Sequence, residues 1–260
     1  MDTKDWPEEL QYTERLTNAD EILFGLNIYA HERAEIDYSI LCLETVDLWL
    51  NRVKSSENYS KKQNIAITSV LKGRRLLRAA QLQIFKGYLP EAEILLRSIF
   101  EVQLVLSYIL GDSTDDRANK YLTFAEKKIW DFRMLCEDLL GEGSYEIYSK
   151  LSQYPHPYNM GRARLFYHGQ LQSSAIHDYD HAGILLVHIG NSAVGLCERA
   201  NVLFDDDPEW DKKHQEIYDT EIFKKNIKDV QAKIDQGNDM ILKSLFKAEN
   251  IRKNQKKKQT

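Results

Sequence analysis

GYLPEAEILLRSIFEVQLVLSYILG (residues 87–111) begins and ends on glycine and is apolar nearly all round when wound at 3.6 residues per turn. Gly87 sits where the preceding helix must stop, at a position that tolerates positive φ. Pro90 suits the first turn of a new helix, because its missing N–H would be unpaired there anyway. A link this short makes the helices on either side an antiparallel hairpin. A helix apolar on every face is predicted to be the central one. Its most apolar part, residues 94–110, holds Arg97, Glu101 and Gln103 and is short for a membrane span, so the expectation is a buried core helix.

Further helices are predicted outward from this one. Residues 60–86 form the helix before it, with Ile67, Val70, Leu71, Leu77, Leu82 and Phe85 inward. Asn18 or Asp20 caps a long first helix reaching about residue 54. Its stripe at 22, 26, 29, 33, 36, 40, 43, 47 and 50 is mostly apolar at alternating 3–4 spacing. After the central helix, Ser113 or Thr114 caps a fourth helix to about 140, closed by Gly141 and Gly143. Ser144 opens a short helix to about 152. Residues 153–177 then hold Pro155, Pro157, Gly161 and Gly169, and they form the longest irregular stretch. Long loops inside compact domains are often functional. A helix over about 179–204 follows. Asp207-Pro208-Glu209 reads as cap and first turn of another, so the acidic run 205–207 is taken as a helix start rather than a metal site. A kink near Asp219 is expected. No internal repeat is evident.

The composition agrees with an all-α class. The 260 residues are 43% hydrophobic, with only 12 Gly and 5 Pro, too few turn-makers for a β-sandwich or barrel. The expected architecture is a single-domain bundle of about six to eight helices over residues 1–246, its core within about 60–204, followed by a basic tail at 247–260. That tail has six cationic side chains and one anionic (+5), so with a net charge of −5 the rest of the chain carries −10. An acidic body is unlike a non-specific duplex-DNA binder. The N-terminal residues are acidic with no apolar run, so no secretory leader is expected. Cys42, Cys136 and Cys197 are scattered through apolar helical stretches, as buried free thiols of a cytoplasmic protein would be. No membrane association and no cofactor are expected.

Three constellations could carry chemistry. Glu93, Arg97 and Glu101 lie at i, i+4 and i+8 on the central helix. They make either an internal ion-pair ladder or a polar site within the bundle. His177, His181 and His188 share a helix face if that helix starts by 177, and two histidines at i, i+4 can share a metal ion. Arg162 and His168 are separated by five residues. Imidazole can move a 2′-hydroxyl proton and guanidinium can stabilise a charged phosphorane, which is metal-independent RNA cleavage.

The stretch Leu76-Leu77-Arg78 … Gly87-Tyr88-Leu89-Pro90-Glu91-Ala92-Glu93, continuing through Leu95-Leu96-Arg97-Ser98 to Glu101, resembles an uncharacterised prokaryotic all-helical family, a domain of unknown function. Ser152-Gln153-Tyr154-Pro155-His156-Pro157 is similar to that family's Ser-x-x-x-His-Pro element. The resemblance covers about residues 65–200. That family resembles in turn the HEPN superfamily of helical, often dimeric proteins, many of them ribonucleases of toxin–antitoxin and antiphage systems with an Arg-x4–6-His motif. The resemblance implies a HEPN-like core, a homodimer or a protein partner, and RNA or a nucleotide as ligand. It points to Arg97, Glu101 and His156, with Arg162 and His168 fitting the motif spacing. A non-catalytic interaction or regulatory subunit is the alternative.

Overall fold

The computed structural model describes residues 21–53, 58–123, 130–141, 144–145, 166–167, 170–171, 178–205 and 207–235. The regular elements among the described residues are helices apart from one small hairpin, as the composition leads one to expect. They comprise α1 (21–31), α2 (Arg33–Val53), α3 (Lys61–Phe85), α4 (Leu89–Leu110), α5 (Asp116–Thr123), α6 (Phe132–Leu140), α7 (Tyr179–Asn201), α8 (Pro208–Asp219) and α9 (Glu221–Asp235). Strands β1 (Phe166–Tyr167) and β2 (Gln170–Leu171) pair antiparallel, Tyr167 opposite Gln170.

Local signals set several boundaries as expected. Ser60 caps α3 through a capping box: its hydroxyl accepts from Gln63 N, while the Gln63 side chain accepts from Ser60 N. Gly87 has φ +79, the left-handed conformation that lets the chain turn from α3 into α4. Pro90 lies in the first turn of α4. The Asp207 carboxylate accepts from Glu209 N and Trp210 N, so it does cap α8. The kink expected near Asp219 is a full break. Thr220 is extended, and its hydroxyl accepts from Phe223 N while donating to Ile217 O.

Four boundaries and faces differ from expectation. The single first helix is bent at Glu32 into α1 and α2. Its predicted stripe holds on α2 at Ile36, Leu43 and Leu50, which are buried, but not at Ile40; on α1 it is the wrong face, since Ile22, Leu26 and Tyr29 are exposed while Phe24 and Ile28 are buried, and Tyr38, Cys42, Val46 and Trp49 add a second buried row on α2. The helix has two apolar stripes, and periodicity alone does not choose between them. Phe24 is drawn inward by stacking on Tyr179, whose hydroxyl accepts from Asn27 Nδ2 at 2.9 Å. Leu82 on α3 is exposed too, with Ile84 and Gln81 taking the inward positions. The predicted fourth helix is two helices, α5 and α6. Asp131 starts α6 by accepting from Arg133 N, and Gly141 ends it at φ +97. Asp131 is a better cap than an interior helical residue, because its carboxylate competes for backbone N–H groups.

The main core takes in Phe24 and Ile28 from α1, Trp49 from α2, Leu77 from α3, Ile99 from α4, Leu186 from α7 and Ile217 from α8. It therefore extends beyond the 60–204 span at both ends. The most enclosed helix is α7 rather than α4. Small residues let its neighbours come close: a Cβ on Gly190 would lie 2.4 Å from Tyr38 Cε1, and one on Gly73 of α3 would lie 2.2 Å from Leu196 Cδ2. The all-round apolarity of α4 has a different cause. Ile99, Leu106 and Ile109 face the main core, while Leu104 joins a second cluster with Leu135 and Cys136 of α6. A helix between two apolar clusters needs apolar residues on both sides.

All three cysteines are buried free thiols. Burial pushes the Cys136 thiol up to about 11 and that of Cys42 up to about 12, so they are poor nucleophiles.

Asp112 secures the turn from α4 to α5. Its carboxylate accepts from Arg117 N, Thr114 N and Thr114 Oγ1. These bonds, with the backbone N–H groups first, lower its pKa from 3.8 to about 2. A depressed carboxylate stabilises the fold above its unfolded pKa and loses that contribution as pH falls through the folded one. Asp112→Asn is expected to melt earlier than the parent at neutral pH. The gap in Tm should close between pH 4 and pH 2, and a gap unchanged across that window would remove Asp112 from acid sensitivity.

Candidate functional site

The polar residues of α4 meet those of α7 along one seam. His181 Nε2 and Glu93 Oε1 are 2.8 Å apart. Gln103 Nε2 donates to Ser192 O at 2.8 Å, and Arg199 Nε donates to Ser107 Oγ at 2.9 Å. The partner numbers rise together, so α4 and α7 run parallel. Between the first two links, Arg97 Nε lies 3.2 Å from Glu101 Oε1, one turn further along α4. Arg97, Glu101 and His181 are each about a quarter exposed, while Glu93 is 10% exposed. The seam is thus a partly open line of polar groups on two otherwise apolar helices.

Each group is held by local structure. Asp178 caps α7 and accepts from His181 N, which sets the backbone of that histidine. An ionised Glu93 can only accept, so Nε2 is the donor in this pair. Arg199 folds back over Gly195, whose carbonyl accepts from Nη1 at 2.6 Å. A Cβ at Gly195 would lie 2.8 Å from that nitrogen, so the bare glycine makes the space. Burial lowers the pKa of the Arg199 guanidinium, and nearby Glu198 partly offsets this.

The charge changes along the seam. At the α7 N-terminus stand Asp178, Asp180, Glu93 and Glu32, and Glu32 has its pKa raised by burial and by Glu35 and Asp180. At the far end Arg199 and Arg117 stand beside the carboxylates of Glu198 and Asp112. Arg117 lies 3.7 Å from the Tyr108 ring centroid, next along α4 from the serine that holds Arg199.

Among the expected site residues, Arg97 and Glu101 meet as a pair on this seam. His156, Arg162 and His168 lie outside the described residues, as do His177 and the basic tail. His181, which could share a metal ion with His177, faces Glu93. Among the described residues no group of three or more His, Cys, Asp or Glu side chains could hold a metal ion. Arg74 stands apart from the seam, in a bidentate pair with Asp47 of α2 at 2.7 and 2.8 Å. Arg199, Ser107 and Gln103 were missed. Their signal was present in the spacing: Ser192, Gly195 and Arg199 continue the His181–His188 face along α7.

A cleft of about 620 Å³ lies elsewhere, among Arg52, Tyr59, Gln63, Phe204 and Asp207. Its arginine is already engaged with Asp207, Asn201 and the Asp205 carbonyl.

The model of a family of unknown function (DUF5677) matches residues 63–133, somewhat more than a quarter of the chain. The chain is similar to that family from within α3 to the start of α6, a span that includes Arg97 and Glu101 and stops before α7. No curated protein and no solved structure matches the chain. Among the described residues no helix is long and apolar enough to cross a membrane.

Proposed function

We propose that the chain is a HEPN-like protein that binds RNA along the seam between α4 and α7 and cleaves it without a metal ion. The observation that carries this reading is the His181 imidazole, oriented by Glu93 at 2.8 Å beside the Arg97–Glu101 pair. A carboxylate-oriented imidazole is the arrangement a general base requires. The base takes the 2′-hydroxyl proton, and O2′ bonds to phosphorus. The P–O5′ bond breaks, and a second histidine, His156 or His168, returns a proton to O5′. A 2′,3′-cyclic phosphate and a 5′-hydroxyl result, with no other reactant. Arg97 or Arg162 stabilises the charge on the phosphorane. Two copies of the chain pair so that their histidine-bearing segments face one cleft, and the activity serves phage defence or a toxin–antitoxin system.

The test is incubation of the purified protein with cellular RNA in chelator, beside a His156→Ala/His168→Ala double mutant. Cyclic-phosphate ends from the parent, and at least a hundredfold fewer from the mutant, are expected. Equal inertness of the two proteins would sink the reading.

One observation favours a second reading, that of an interaction subunit. Ile22, Leu23 and Leu26 of α1 are 62%, 52% and 63% exposed, a contiguous apolar face of the kind that docks partners. Stable co-purification with one protein, lost in Leu23→Ser/Leu26→Ser, together with inertness toward RNA, would establish it.

A further inference from the structure

We propose that Arg199, with Ser107 and Gln103, forms a second phosphate seat at the far end of the seam, taking a backbone phosphate of single-stranded RNA several nucleotides from the reacting one. This deepens the reading above and rests on it for the identity of the strand.

Arg199 is a half-buried cation whose bonds go to a serine hydroxyl and a backbone carbonyl, both neutral. Among the described residues no carboxylate pairs with it. With no carboxylate in direct contact and only Glu198 acting at longer range, the desolvation of this half-buried guanidinium is only partly compensated. The burial-lowered pKa of the guanidinium is consistent with that. Ser107 and Gly195 hold Nε and Nη1, which fixes the plane of the fork and leaves Nη2 to donate to an incoming oxygen. The Gln103 amide lies beside it, 3.7 Å from where a Cβ on Gly195 would be.

Position along α4 gives the ligand its length. Arg97 and Ser107 are ten residues apart, about 15 Å at 1.5 Å per residue. A mononucleotide cannot reach both guanidiniums. A stacked single strand rising 3.4 Å per nucleotide needs about five. Asp178, Asp180 and Glu32 disfavour a strand that continues past the reacting position at the α7 N-terminus, so it leaves that position toward Arg199.

The test measures binding of a labelled 12-nucleotide single-stranded RNA and of a dinucleotide, with the parent, Arg199→Gln and Gly195→Ala. Arg199→Gln is expected to weaken the 12-mer about tenfold. It should also reduce the slope of log Kd against log salt by about 0.7, the value for one lost phosphate contact on a single strand. The dinucleotide should be unaffected. Gly195→Ala keeps the charge but displaces the guanidinium, so it should weaken the 12-mer as well. It also carries the test if Arg199→Gln does not fold. An unchanged 12-mer affinity and slope, or equal losses at both lengths, would show that Arg199 only staples α7 to α4. If the parent binds no RNA, the reading above falls, and titration with inorganic phosphate still decides the seat. A Tm rise in the parent that Arg199→Gln abolishes keeps it, and no rise in either protein overturns it.

Discussion

Trp49→Ala is expected to lower the stability of the fold by about 3–5 kcal/mol. Trp49 is fully buried in α2, meets Phe204 edge-on at 5.2 Å, and donates Nε1–H to Asn201 Oδ1 at 3.0 Å. Truncation removes one of the core's two buried tryptophans among the described residues, and Asn201, itself 7% exposed, loses that hydrogen bond. Residues too far apart in sequence to meet locally are tied here: the C-terminal turns of α2 and α7 and the link into α8. For a chain of this size the loss should appear as a fall in Tm of about 10 °C or more. Leu26→Ala is the matched control. Leu26 is 63% exposed, so its truncation should cost less than about 0.5 kcal/mol. The stripe read from the sequence predicts the reverse order, since it contains Leu26 and omits Trp49. Thermal melts of the two variants therefore test whether Leu26 of α1 lies outside the core and Trp49 of α2 within it.

That reversal shows what a sequence of this kind reveals about its fold. Class and hairpin were legible because they depend on strong local signals. Gly87 and Pro90 punctuate a turn, Ser60 and Asp207 cap, and 5 prolines in 260 residues leave little room for β architecture. The inward face of α1 was not legible. Ile22, Leu26 and Tyr29 form as good a stripe as Phe24 and Ile28, and the choice is made by Tyr179, some 150 residues away. The centrality of α4 was misread for a related reason. Apolarity on every face marks a fully enclosed helix, but equally one between two separate clusters, and only the placement of α6 against Leu104 distinguishes them. The helix most enclosed, α7, hides its role behind glycine and alanine, which score weakly as apolar and serve by letting neighbours approach.

The site was legible on one wall only. Glu93, Arg97 and Glu101 stand out because charges on an apolar helix are costly unless paired. The opposite wall on α7 is built from His181, Ser192, Gly195 and Arg199, which are ordinary residues until the parallel register of α4 and α7 sets them opposite polar partners. Register between helices almost 90 residues apart is a tertiary property, and no local pattern encodes it.

His181→Gln is expected to reduce RNA cleavage by about 10²–10⁴-fold without lowering Tm. The glutamine amide can donate to Glu93 Oε1 as Nε2–H does, so the link between α4 and α7 at 2.8 Å is kept while the titratable nitrogen is lost. His181→Ala removes both, leaving Glu93, 10% exposed, without its imidazole partner. It should therefore lose activity and also about 1–3 kcal/mol of stability. The contrast separates chemistry from scaffolding, because a residue that only latches two helices together would be rescued by glutamine. Cleavage at the parental rate by His181→Gln would assign the imidazole a structural role and leave the acid and base to His156 and His168. Combination with His156→Ala/His168→Ala refines the outcome. Groups that act in one proton-transfer step are not additive. The triple mutant should be no slower than the slower of its parents, whereas independent structural effects would multiply.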